Sequence, residues 1–314
     1  MKSSVFIGVR FNHTLTTVPR PMRSGFLRLQ GVWKMKKVQT ALTIAGTDPT
    51  GGAGIQADLK SFQERCVYGM SVVTSVVAQN TRGVSLIHHQ PIEMIDRQLA
   101  CVFDDIQPDA IKTGMIATEE MMLLISDYLK QYPDIPYVLD PVMVATSGDV
   151  LMEESSRAVI RDVLIPQATL VTPNLKEASL LLDRSITTLE EMTQAAKDLV
   201  HVLGASAAVV KGGHLTDEAT DVFYDGRNIR YLTKERIKTK HTHGTGCTYS
   251  AVITAELAKG QTIFDAVSLG KAFIHDAISY GIDLGHGNGP TNHFGHRLKG
   301  VPNDINTHEK TQGR

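Results

Sequence analysis

The segment His241-Thr242-His243-Gly244-Thr245-Gly246-Cys247-Thr248 carries the densest chemistry in the chain, and it runs into a stretch of small residues from Tyr249 to Lys259 that reads as a helix. Two glycines leave backbone N–H groups unshielded by side chains, and a helix start adds its positive end. Gly244, Thr245 and Gly246 therefore form a turn suited to an anion such as a phosphate. Cys247, beside that helix start, is expected to have a lowered thiol pKa, which opens thiolate chemistry or a hydrogen bond to a hydroxyl. The plainer alternative is a turn that only reverses the chain, with Cys247 as a small buried hydrophobe.

A second glycine-rich stretch, Gly46-Thr47-Asp48-Pro49-Thr50-Gly51-Gly52-Ala53-Gly54, follows an apolar run and precedes a helical one. In open α/β sheets, ligands bind beyond the carboxyl ends of strands, where such turns lie. The spacing is neither that of a dinucleotide fingerprint nor that of a P-loop, which disfavours a nicotinamide dehydrogenase and a Walker ATPase. The plainer alternative is a structural turn capped by Asp48.

Asn174 and Glu177 stand three apart in Thr172-Pro173-Asn174-Leu175-Lys176-Glu177. That is the spacing of a helix N-cap and its capping-box partner, and their oxygens are also suited to organising water and Mg²⁺ beside nucleotide phosphates. Lys211, at a strand end before Gly212-Gly213, could neutralise a phosphoryl group in transfer. Asp140 ends another strand before Pro141 and is read either as a metal ligand or as a stabiliser of the turn. The histidines His88, His89, His241, His243, His286, His293 and His296 make no zinc pattern.

The elements that must position these groups follow from periodicity. From Met35 onward, short apolar runs alternate with amphipathic stretches, the pattern of a mostly parallel sheet with helices on its faces, so the class is α/β. Strands are expected at 40–45, 71–78, 110–112, 137–140, 169–172 and 207–211. Ile55, Leu59 and Phe62 share one helical face after the first of them. Asp225-Gly226, between 222–224 and 229–232, marks a β-hairpin that interrupts the alternation.

The chain has 314 residues, of which 42% are hydrophobic and 21% charged, with a formal net charge of -1. That balance supplies no field for a polyanion, so no nucleic-acid partner is expected and a small-molecule substrate is. Three cysteines, Cys66, Cys101 and Cys247, without zinc spacing fit a reducing cytoplasm. The apolar runs are too short to span a membrane. Residues 1–34 are basic and free of acidic side chains. They are read as an extension outside the fold, upstream of a natural start at Met35, with a transit peptide as the alternative. A single domain is expected over 35–300, with a polar tail over 301–314.

Taken in order, the runs Ala41 to Asp48, Gly51 to Asp58, Ala78-Gln79-Asn80-Thr81, Lys112-Thr113-Gly114-Met115, Asp140-Pro141-Val142-Met143, Thr172-Pro173-Asn174, Lys211-Gly212-Gly213-His214 and His243 to Thr248 resemble the hydroxymethylpyrimidine/phosphomethylpyrimidine kinases. The likeness extends from Lys37 to His296. It implies a three-layer ribokinase-like fold, ATP and Mg²⁺ as cofactors, a homodimer, and two successive phosphorylations of the pyrimidine. Under that resemblance Gln79 matches the glutamine that reads the aminopyrimidine, its amide offering a donor and an acceptor. Gly46, Ala53, Met115 and Val142 match the lining of the ring pocket. Gly244 to Cys247 match the anion hole, Asn174 and Glu177 the magnesium and phosphate network, and Lys211 a phosphate-contacting lysine.

The nearest rival is a pyridoxal or pyridoxine kinase of the same fold. Such kinases typically carry a second cysteine in a lid, at the position held here by Ala145 in the 144–150 loop, itself expected to be a lid. From another class, a non-catalytic ligand sensor on the same fold is disfavoured by the completeness of the phosphoryl-transfer set: Lys211, Glu177, the two glycines and Cys247 are all present.

Overall fold

Alternation with period two decides which side chains face which way. Leu42 and Ile44 point to one side of the first strand and Ala41 to the other, and the same split recurs at Ile111 and Ala110, at Tyr137 and Val138, and at Val210 and Val209. Strands apolar on both faces must be covered on both. The computed structural model describes residues 37–143, 156–213 and 218–299. The basic extension 1–34, the 144–150 loop with Ala145, His214 and the tail 301–314 lie outside the described residues.

In chain order the elements are β1 (Thr40–Ala45), α1 (Gly54–Glu64), β2 (Tyr68–Val73), β3 (Ser75–Asn80), β4 (Gly83–His89), α2 (Ile92–Asp105), β5 (Ala110–Thr113), α3 (Glu119–Gln131), β6 (Tyr137–Leu139), α4 (Ser156–Val159), β7 (Leu170–Val171), α5 (Leu175–Leu181), α6 (Leu189–His201), β8 (Ala208–Val210), β9 (Glu218–Tyr224), β10 (Ile229–Glu235), α7 (Thr245–Ala258) and α8 (Ile263–Ser279). Eight strands form one sheet in the order β10-β9-β8-β7-β6-β5-β1-β2. The pairs from β2 through β8 are parallel, and the expected hairpin β9–β10 adds an antiparallel edge. Helices α2, α3, α5 and α6 pack one face, and α1, α7 and α8 the other. The three-layer α/β arrangement expected from the sequence is therefore present. Helix α7 is buried from Thr248 to Ala258, and its small side chains let it lie directly on the sheet.

The expected strand over 71–78 is two strands in two sheets. Thr74 still donates its N–H to Ala45 at the end of β1 (3.0 Å), but β1 turns away at Gly46, and beyond Thr74 only Thr47 remains beside the chain. It peels off and pairs as β3 with β4 in a separate antiparallel ribbon. Gln79 therefore sits on this ribbon and not at the end of a strand of the main sheet. The ribbon is held at its base by Thr47, which donates its N–H to Ser75 O (2.9 Å) and accepts from Val77 N–H through its hydroxyl (3.0 Å).

Candidate active site

The parallel strands end on one side of the sheet, and the first polar group met there is a buried ion pair. Lys112 on β5 reaches Asp58 on α1 (2.9 Å), and Thr43 on β1 donates to the same carboxylate oxygen (2.6 Å). Both ionic side chains are fully buried. Burial favours the neutral amine, but the adjacent Asp58 outweighs it and holds Lys112 protonated.

Asp140, one residue past β6, is the hub of the site. One of its oxygens accepts from Lys211 (3.1 Å) and Thr172 (3.1 Å), the other from Ser250 on α7 (3.0 Å). Burial opposes its ionisation, yet Lys211 and Lys112 together keep its carboxyl below the usual range. Lys211 stands between two carboxylates, with Glu177 at 4.0 Å on its other side. Asn174 and Glu177 form the capping box expected from their spacing, each backbone N–H donating to the other's side chain (3.0 and 2.7 Å). Burial pushes the Glu177 carboxyl up to about 7, against the pull of Lys211.

The two glycine-rich stretches meet beside this hub. Asp48 caps its own turn, accepting from the N–H groups of Thr50 (2.9 Å), Gly52 (3.1 Å) and Ala53 (2.8 Å), and it also bonds His243 Nε2 (2.8 Å) from the distant stretch. Burial alone would raise the Asp48 carboxyl; hydrogen bonds from His243 and Thr50 outweigh it and hold it well below the ordinary range. Gly244 caps α7 in the left-handed region (φ +78°). A Cβ there would overlap Gly52 O, so only glycine lets the two stretches lie so close. The first turn of α7 offers N–H groups at Gly246 and Cys247 with no carbonyl of their own helix to receive them.

A cavity of about 720 Å³ opens onto this hub. At its β1, β3 and β5 side lie Gly46, Ala53, Val77, Gln79, Met115 and Val142; the amide of Gln79 has no partner within the described residues, leaving it free for a ligand. The middle is formed by Asp140, Lys112, Lys211 and Gly244 to Cys247, and the β7, β8 and β10 side by Asn174, Glu177, Lys234, Ile237 and His275. An apolar slot, a helix start with unpaired N–H groups beside the paired Lys211, and a second compartment thus share a single trench. A family model for phosphomethylpyrimidine kinase matches residues 48–292. The chain belongs to the phosphomethylpyrimidine kinase family.

The kinase is 51% identical over 267 residues to the hydroxymethylpyrimidine/phosphomethylpyrimidine kinase of Staphylococcus aureus, an alignment covering 84% of this chain and 97% of that one. Among solved structures it is similar to the ADP complex of Bacillus subtilis pyridoxal kinase (TM-score 0.78, 42% identity, 83% of this chain and 100% of that one). It is also similar to phosphomethylpyrimidine kinase from Clostridium difficile (TM-score 0.69, 38% identity, 76% and 99%). The fold is ribokinase-like.

Every residue singled out in the sequence as a site candidate lines this cavity of the kinase. Sequence reasoning missed Lys112 with Asp58, the His243–Asp48 bond, and the wall contributed by Lys234 to Ile237 after the hairpin. Among the described residues no group of three or more His, Cys, Asp or Glu is placed to hold a metal.

The expected lowering of the Cys247 thiol pKa is corrected. Burial pushes it up to about 12, and the pull of Lys112 and of the Gly54 N–H is too weak to reverse that. A raised pKa keeps the thiol protonated throughout the neutral range. Cys247→Ser is accordingly expected to keep kcat/KM within about tenfold, and to leave its profile between about pH 6 and 9 unchanged in shape, since no thiolate is lost. A limb present in the parent and absent from the serine variant would restore the thiolate role.

Proposed function

We propose that this chain transfers the γ-phosphoryl group of ATP to the hydroxymethyl oxygen of 4-amino-5-hydroxymethyl-2-methylpyrimidine, and then phosphorylates the resulting monophosphate to the diphosphate, on the route to thiamine. The observation that carries the reading is the single trench in which the free Gln79 amide and the small positions Gly46 and Ala53 stand on one side of the α7 helix start, with Lys211 and Glu177 on the other. An O–P bond forms to the substrate hydroxyl oxygen as the bond from the γ-phosphorus to the bridging oxygen breaks and ADP leaves; the hydroxyl proton departs late, to an oxygen of the transferred phosphoryl group and from there to water. In a loose transition state the charge sits on the phosphoryl oxygens. The Gly246 and Cys247 N–H groups and the Lys211 ammonium are the groups that meet it. Cys247 serves through its backbone and as a thiol packed beside the reacting hydroxyl.

Mg²⁺ commonly binds through one or two carboxylates together with phosphate oxygens and water, and Glu177 suits that role. Asp140, whose two oxygens already accept from Lys211, Thr172 and Ser250, positions those groups instead. The catalytic domain is placed at 35–300. A cytoplasmic location fits the three free cysteines, and a homodimer rests on the family resemblance.

A second reading, pyridoxal phosphorylation, is favoured by the likeness to the Bacillus subtilis pyridoxal kinase structure. Coupled ADP release with MgATP and, separately, hydroxymethylpyrimidine, its monophosphate and pyridoxal decides between them. Efficient turnover of both pyrimidines with poor turnover of pyridoxal is expected. Preferential turnover of pyridoxal would overturn the pyrimidine reading of Gln79.

A further inference from the structure

The ribbon that carries Gln79 contributes to neither hydrophobic core cluster, and its only buried side chains are Ser75 and Val77 toward the base, so hydrogen bonds position its tip over the cavity. The base is tied to Thr47. The tip is tied by Thr81. Its hydroxyl accepts the N–H groups of His286 (3.2 Å) and Gly287 (3.1 Å), and its carbonyl accepts that of Asn288 (2.8 Å). The receiving segment is the glycine-punctuated run Gly285-His286-Gly287-Asn288-Gly289, for which the sequence suggested no role. A Cβ on Gly285 would come within 2.9 Å of Thr81 Cβ, and one on Gly287 would overlap Thr81 O, so this close approach depends on glycine.

The same segment is tied at its other end to the anion-binding turn. His243 donates its N–H to Gly289 O (3.0 Å), and Thr291 donates back to His243 O (3.1 Å). Asn288 itself lines the cavity. One short strap thus joins the ribbon bearing the ring-reading amide to the turn that leads into Gly244.

We propose that Thr81 is a positioning residue for the substrate ring: by clasping the 285–288 strap it fixes the ribbon so that Gln79 faces the bound ring at the same height as the anion-binding turn. Three backbone N–H groups on one residue set the geometry of the tip, because the only buried side chains of the ribbon, Ser75 and Val77, lie toward its base. The inference rests on the pyrimidine-kinase reading, in which Gln79 recognises the ring.

The test is steady-state kinetics on the full chain with hydroxymethylpyrimidine and ATP, comparing the parent with Thr81→Val, Thr81→Ser and Gly287→Ala. Thr81→Val keeps the shape and removes the acceptor. It is expected to raise KM for the pyrimidine about tenfold, the scale of one or two lost hydrogen bonds, with kcat and KM for ATP changed less than about twofold. Thr81→Ser restores the parent values, and Gly287→Ala, which pushes the strap off an intact Thr81, reproduces the Val phenotype. An unchanged KM for the pyrimidine in both Thr81→Val and Gly287→Ala, or a parallel loss in kcat and in both KM values, overturns the inference while leaving the kinase reading standing. A parent chain that turns over no pyrimidine overturns both.

Discussion

Lys211→Met is expected to lower kcat/KM by about 10²–10³, the scale on which a single preorganised charge acts at a developing oxyanion. The ammonium lies 3.1 Å from Asp140 and 4.0 Å from Glu177, so its loss leaves two buried carboxylates without the cation between them. The site becomes one charge more negative where a polyphosphate must bind. Folding is expected to survive, because Asp140 keeps its bonds from Thr172 and Ser250. Lys211→Arg should recover little, since a planar fork does not occupy the place of a compact ammonium. The measurement is kcat/KM with ATP and pyrimidine alongside the thermal midpoint. A change in kcat/KM of less than about threefold would show that the lysine is structural.

Gly244→Ala is expected to be as damaging by a different route. A non-glycine residue in the left-handed region costs about 1–2 kcal/mol, and Gly260, at φ +79° with open space around it, isolates that term. Gly244 shares the dihedral (φ +78°), but its Cβ would overlap Gly52 O and approach Ala53 Cα at 3.2 Å. Overpacking of this kind adds about 1–3 kcal/mol. Denaturant unfolding should therefore place Gly244→Ala clearly below Gly260→Ala in stability, and only the former should lose activity, by about 10² or more when an anion-binding turn shifts by an ångström. Equal stability losses in the two variants would mean that the two stretches are not in contact.

Much of this arrangement is legible in the sequence because it is local. The capping box of Asn174 and Glu177, the hairpin around Asp225-Gly226 and the strand at 40–45 each follow from spacings within a few residues. What escaped depends on partners far away in the chain. Nothing in Lys112-Thr113-Gly114 announces Asp58 behind it, and His243 looked like one histidine among many until Asp48 was found opposite. The run at 71–78 reads as one strand of β-branched and small residues, and its division at Thr74 follows from where β1 ends, which is information held outside the run. The Cys247 reading failed because position beside a helix start was legible whereas depth of burial was not.

That division at Thr74 has a bearing on descent. The groups proposed to handle the phosphoryl transfer stand on strand ends and on a buried helix, where substitution disturbs the packing of the whole sheet. Gln79, the proposed ring reader, stands on a ribbon outside both core clusters, where exposed Val76 and Leu86 are expected to tolerate exchange at little expense to folding. Selection could therefore retune which flat ring is accepted by drift along one hairpin, while the transfer machinery stayed fixed.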